Sequence, residues 1–180
     1  ITKPKIIEKI HTQYLEAGAD IIETNTFNAN KISQEDYNLE NHVFDMNFQS
    51  AQIAKNAIKK FNEKSKEPKF VCGSIGPTNR TASLSPKVED LSFRNVTFDQ
   101  LYDAYYEQID GLVQGGIDLL MIETIFDTLN CKAAIIAVDN YLKKHNLKIP
   151  LMISVTIVDK SGRTLSGQTL EAFWHTIKYI

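Results

Sequence analysis

The sequence predicts an α/β fold built on a parallel sheet, and three observations carry that prediction. Short apolar runs alternate with amphipathic helical stretches, giving a leading helix followed by four strand–helix units. The run at 117–122 is apolar almost throughout, as expected of a strand covered on both faces. The chain has 180 residues, 43% of them hydrophobic and 23% charged, which suits one globular unit with a core of its own.

The elements follow in order. Residues 4–17 place Ile6, Ile7, Ile10, Tyr14 and Leu15 on a helical period, with Gly18 as the stop. Residues 20–27 read as a strand that turns polar at its end. A helix over 41–61 carries Phe44, Ala51, Ala54, Ile58 and Phe61 at three–four spacing, and Asn47 falls on the same stripe as a buried hydrogen-bonding residue. The second strand is 69–74. Thr97 and Gln100 form a capping box that opens a helix running to Gly115. After the third strand, 117–122, Asp127 caps a helix that continues through Ala133, Ala137, Val138 and Tyr141. Pro150 introduces the fourth strand, 151–157, and 169–179 is the last helix.

Periodicity does not choose between a closed barrel and an open, doubly wound sheet. No Gly-x-Gly-x-x-Gly follows a strand, so a dinucleotide fold lacks its main support. A complete eightfold barrel takes roughly 250 residues, and four units are about half of one. Both ends read as cut, and the chain reads as a single partial domain over 1–180.

Composition narrows the partners. The net charge is −2 with mixed signs, and no basic stripe suggests nucleic acid. No apolar run approaches the ~20 residues that span a bilayer, and no signal-peptide pattern opens the chain. Two cysteines, Cys72 and Cys131, are too few for a disulfide framework, which makes a reducing cytoplasm the default. Neither has a ligand-spaced neighbour. Cys72 reads as core, and Cys131 as a small buried residue in a first helical turn, where the dipole favours a lower pKa.

In parallel barrels, chemistry sits at the C-terminal strand ends. Here those ends offer Glu23, Thr24, Asn25 and Thr26; then Ser74 and Gly76; then Glu123 and Thr124; then Ser154 and Thr156. None carries Lys or His. Two nearby carboxylates, Glu23 and Glu123, favour a cation between them, such as an amino-acid ammonium. The stretch 75–96 is long for a structureless connection, and reads as a functional loop or a surface insertion.

The runs 18–27 (GADIIETNTF), 73–79 (GSIGPTN), 93–98 (FRNVTF), 121–130 (MIETIFDTLN) and 161–169 (SGRTLSGQT) resemble the homocysteine-binding domain of cobalamin-dependent methionine synthases. The match runs in order over nearly the whole chain. ETNT alone fits the wider homocysteine methyltransferases, whereas FDTLN with RTLSGQT resembles the cobalamin-dependent branch.

That resemblance implies a partial (β/α)8 TIM barrel, equivalent to strand 2 through helix 5. It implies a domain that binds homocysteine beside zinc, whose thiolate takes a methyl group from methylcobalamin to give methionine. 5-Methyltetrahydrofolate then supplies the next methyl group. Cobalamin and folate belong to other domains of the parent chain, and the zinc cysteines are expected beyond residue 180, so no metal ligand and no catalytic residue is expected within this segment.

As implied substrate-binding residues, Glu123 accepts hydrogen bonds from the homocysteine ammonium, or else caps a helix or pairs with an arginine. Backbone N–H groups around Ser74 and Gly76 hold the carboxylate, or Gly76 serves a tight turn. Glu23 and Asn25 orient the site. Ser154 and Thr156 fill the interior, and Arg163 steadies its loop or touches a partner domain.

Three alternatives remain. One is a methyltransferase using betaine or S-methylmethionine. Another is a Schiff-base aldolase or lyase, which needs a lysine at the mouth and finds only Lys160 nearby. The third is a piece without independent function, its strand edges unpaired.

Overall fold

The computed structural model describes residues 2–63 and 65–180. Four strands, β1 (Ile21–Glu23), β2 (Phe70–Ile75), β3 (Leu119–Ile125) and β4 (Leu151–Val155), form one sheet in the order β1-β2-β3-β4, with every neighbouring pair parallel. The connecting helices are α1 (Pro4–Glu16), α2 (Lys31–Gln34), α3 (Val43–Phe61), α4 (Phe98–Gln114), α5 (Thr128–His145) and α6 (Leu170–Ile177). Parallel crossovers are right-handed, so a strand order that never reverses puts every crossover helix on the same face. A doubly wound sheet would reverse at a switch point. Strand order thus decides what periodicity left open.

Register sorts the side chains. Ile22, Val71, Ile75, Leu120 and Ile122 share the helix-covered face, where they are at most 7% exposed and pack with Ala51, Ala54, Leu101, Ile109, Leu112 and Ala133. Gly111 and Gly115, one turn apart, let α4 lie against α3. A Cβ on Gly111 would stand 2.7 Å from Phe44 O, and one on Gly115 would stand 2.6 Å from Ala51 Cβ. The opposite face carries Ile21, Phe70 and Met152 in the open, with Glu23, Ser74 and Glu123 toward its C-terminal edge.

Local signals produced the two expected caps: Thr97 and Gln100 close the capping box of α4, and Asp127 caps α5. Thr169 caps α6 as well, its side chain accepting from Ala172 N. Asn47 is fully buried and donates through Nδ2 to Ala29 O and Val43 O, both at 2.7 Å.

Four expectations are corrected. The first strand is only three residues long, because threonine side chains take over its pairing beyond Glu23. The third runs on through Glu123 and Thr124 to Ile125. The short helix α2, capped by Asn30 Oδ1 on Ser33 N, lies in a stretch for which periodicity predicts no element. On α1, Ile6, Ile10 and Tyr14 are exposed, while Leu15 and His11 are buried. Ile10, His11 and Tyr14 border an open groove beside the β1 edge, together with Ile21, Glu23 and Asn25.

Candidate active site

At the C-terminal ends of β1 and β2, four hydrogen bonds make their donors identifiable. Ser74 N–H donates to Thr24 Oγ1 at 3.0 Å, and Thr26 Oγ1 lies 2.7 Å from Ser74 O. A carbonyl only accepts, so Thr26 spends its one hydroxyl proton there. The 2.7 Å contact between the two threonine hydroxyls must then be donated by Thr24. The result is a closed ring: Ser74 N–H to Thr24, Thr24 to Thr26, Thr26 to Ser74 C=O. Thr24 and Thr26 are 4% and 1% exposed, and Gln108 from α4 braces the ring from behind by donating to Thr26 O at 2.8 Å.

The fourth bond leaves the ring. Ser74 Oγ donates to Glu123 Oε1 at 2.5 Å, tying β2 to β3 at the mouth. Beyond Glu123 the strand bulges: Ile122 pairs with Ile153 but Ile125 pairs with Val155, so β3 spends one residue more than β4. Thr124 takes up the excess with φ +56°, a left-handed backbone that strains a β-branched residue. Its Oγ1 lies 3.5 Å from Glu123 Oε2. The bulge returns Ile125, 4% exposed, to the core.

Glu23 opens on the same mouth. Partial burial and the negative charge of Glu123 together raise its carboxyl pKa above the usual value. Cys72, paired in register with Glu23, is fully buried. Burial first, and then the charges of Glu23 and Glu123, push its thiol up to about 12. Asn25 is exposed beside the α1 groove, Ser154 is exposed on β4, and neither has a hydrogen-bonded side chain among the described residues.

Ser74 and Gly76 do not present free N–H groups for a carboxylate. Ser74 N is taken by Thr24, and Gly76 N donates to Phe27 O at 2.8 Å. Gly76 is there for close approach, since a Cβ would stand 2.4 Å from Phe27 O. Glu123 neither caps α5 nor pairs with an arginine; its partners are Ser74 and Thr124. Arg163 steadies its own turn, donating to Gly167 O at 2.7 Å.

The long connection after β2 is laced down. Asp127 accepts from Ser83 N at 2.8 Å and Ser83 Oγ at 2.7 Å, while Asn130 Oδ1 accepts from Ala82 N at 3.0 Å. Arg94 donates to Ala82 O and Ser83 O, and Arg80 pairs with Glu35. The sequence signal for this anchoring was Asp127 itself, whose capping role was visible and whose second task was not.

The family model for homocysteine S-methyltransferase matches residues 1–179. The chain belongs to that family. Its fold is similar to that of the Escherichia coli homocysteine methyltransferase MmuM. Against the metallated form the TM-score is 0.78 at 21% identity, over 99% of this chain and 60% of that one. Against the oxidized form the values are 0.75 and 19%, over 97% and 58%; against the apo form, 0.70 and 18%, over 99% and 59%. The chain thus spans about three-fifths of the structures it matches, and the four-stranded sheet is part of a TIM-barrel-like fold.

Family membership implies zinc, which the described residues do not accommodate. Among them no three His, Cys, Asp or Glu side chains converge as a metal site. Cys72 and Cys131 are buried with thiols raised to about 12, the reverse of what a thiolate ligand needs. For Cys131 this corrects the expectation from its place at a helix start: burial first, and then the Asp127 charge, raise the thiol. No helix among the described residues is long and apolar enough to cross a membrane.

Proposed function

We propose that this chain is the homocysteine-binding part of a cobalamin-dependent methionine synthase of the cytoplasm. In this reading the homocysteine sulfur gains the methyl group of methylcobalamin, giving methionine and cob(I)alamin. 5-Methyltetrahydrofolate regenerates the donor, and the folate and cobalamin domains are parts of the same parent chain. Zinc would be held by residues outside 1–180.

The observation that carries the reading is Glu123, fixed by Ser74 at the mouth with Glu23 close enough to feel its charge. An ammonium group placed there accepts no bonds and offers three donors, so it answers both carboxylates at once. Ser74 holds one Glu123 oxygen in place while lone pairs remain for the ligand. The site residues in this reading are Glu123 on the ammonium, Ser74 through its hydroxyl, Glu23 as the second carboxylate, and Asn25 and Gly76 shaping the rim. The Schiff-base alternative has only Lys160, exposed in the turn after β4.

Support for the cobalamin branch comes from the two runs that resemble it, FDTLN and RTLSGQT. Thr128 Oγ1 donates to Gln168 Oε1 at 2.5 Å, joining FDTLN to RTLSGQT across the mouth side of α5.

Calorimetry on the full-length protein tests the binding claim. Glu123→Gln is expected to weaken homocysteine binding about 10- to 100-fold, the range for one charge-assisted hydrogen bond. Unchanged affinity removes Glu123 from the site. Assays of methionine formation with methylcobalamin, betaine or S-methylmethionine as sole donor decide the branch, and turnover with either of the last two alone overturns the cobalamin assignment.

A further inference from the structure

We infer that Thr24 and Thr26 are positioning residues for Glu123, acting through Ser74 by the closed hydroxyl ring; this rests on Glu123 being the ammonium acceptor. Neither threonine faces the mouth. Both are buried, and each hydroxyl is used once as donor and once as acceptor, so the ring has no spare proton and no spare freedom.

The physical reason for such a device lies in where β1 ends. Its backbone pairing with β2 stops at Glu23, with one further bond from Thr24 N to Cys72 O at 2.9 Å. Two residues later the ladder would leave Ser74 N–H and C=O unpaired in a buried place, which costs free energy. The threonine hydroxyls supply both missing partners. Ser74 is thereby held at N–H, at C=O and at Oγ, and only the last of these bonds points to Glu123. Gln108 Nε2 reaches Thr26 O at 2.8 Å and Ser74 O at 3.5 Å, so α4 fixes the ring against the core. A hydroxyl pinned in this way can hold a carboxylate in one orientation; a free serine rotor would not.

Bonds around a ring polarise one another, and breaking one loosens the rest. Thr26→Val keeps shape and removes a hydroxyl, whereas Thr26→Ser keeps the hydroxyl. Loss of the ring should appear as loss of Glu123 alignment, and only while Ser74 is present to transmit it.

The test uses the full-length protein with Thr26→Val, Thr26→Ser, Ser74→Ala and the Thr26→Val/Ser74→Ala pair. Homocysteine affinity is measured by calorimetry well below the melting temperature of every variant. Thr26→Val is expected to weaken binding about tenfold and Thr26→Ser by no more than about twofold. On the Ser74→Ala background, Thr26→Val should add nothing measurable. Wild-type affinity in Thr26→Val, or losses that simply add, overturns the inference. If Thr26→Val does not fold, Thr24→Val opens the same ring one bond earlier and is read the same way.

Should Glu123→Gln bind homocysteine as tightly as wild type, the functional reading fails, and the positioning claim is judged without ligand. The Glu23 carboxyl, which feels the Glu123 charge, is then titrated by carbon-13 NMR. A midpoint that moves alike in Thr26→Val and Ser74→Ala, and stays put in Thr26→Ser, supports the ring's role. A midpoint unmoved in Thr26→Val refutes it.

Discussion

Ser83 gives Asp127 both its backbone N–H and its hydroxyl, at 2.8 and 2.7 Å, while the same carboxylate caps α5 through Leu129 N at 2.9 Å and Asn130 N at 3.2 Å. One buried side chain therefore starts a helix and fastens the long loop that follows β2. Asp127→Ala removes the cap and leaves the Ser83 N–H and hydroxyl without their partner. The expected loss is ~2–4 kcal/mol in denaturant unfolding. Proteolytic nicking between residues 82 and 96 should rise in parallel. A variant within about 0.5 kcal/mol of wild type, the usual range for surface changes, would show that the loop is held by other contacts.

Gly76 tests how tightly the β1 and β2 ends are packed. An added methyl meets Phe27 O at 2.4 Å and the Phe27 ring at 2.8 Å, and the first of these is backbone that cannot swing away. Gly76→Ala is expected to cost ~1–3 kcal/mol through forced displacement. Thermal unfolding checks it, and an unchanged melting temperature would mean that the Phe27 segment gives way freely.

Thr124 should behave oppositely. Its φ of +56° is costly for a β-branched residue and free for glycine. Thr124→Gly is expected to gain roughly 0.5–1 kcal/mol, the relief of strain being partly offset by a floppier unfolded chain. Destabilisation would show that the threonine side chain contributes more than its backbone costs.

Glu23 predicts a pH dependence of stability. Its folded-state pKa is raised, so between the unfolded and folded values the folded protein binds more protons. Stability contributed by this group is therefore greatest in acid and falls as pH rises through that window. Glu23→Gln is expected to raise the melting temperature at pH 7. The gain should vanish below pH ~4, where the unfolded carboxyl is itself protonated. A gain that persists in acid would point to a packing effect.

What sequence revealed and what it hid divide along physical lines. Thr97 and Asp127 were legible as caps because a cap is set by residues within one turn of it. Asn47 was legible because a polar residue on an apolar stripe needs a buried partner. The helix α2 has a local signal of its own: Asn30, three residues before Ser33, is a favourable helix start. Position in the sequence points to Glu23 and Asn25 as the orienting residues of the first strand end, yet the buried hydroxyls beside them hold Ser74. Side-chain parity along ETNT cannot show that, since it depends on which partner lies 48 residues away. The same limit hid the engagement of the Ser74 and Gly76 amides.

The bulge at Thr124 separates two demands that a regular strand would lock together. With strict alternation, any change in the number of residues after Glu123 would turn Ile125 and everything downstream inside out. Because one surplus residue is absorbed locally, the rim can present successive polar groups while the hydrophobic layer keeps its phase. Chemistry at the opening can therefore diversify by small changes in length, and the interior beneath it need not be rebuilt each time.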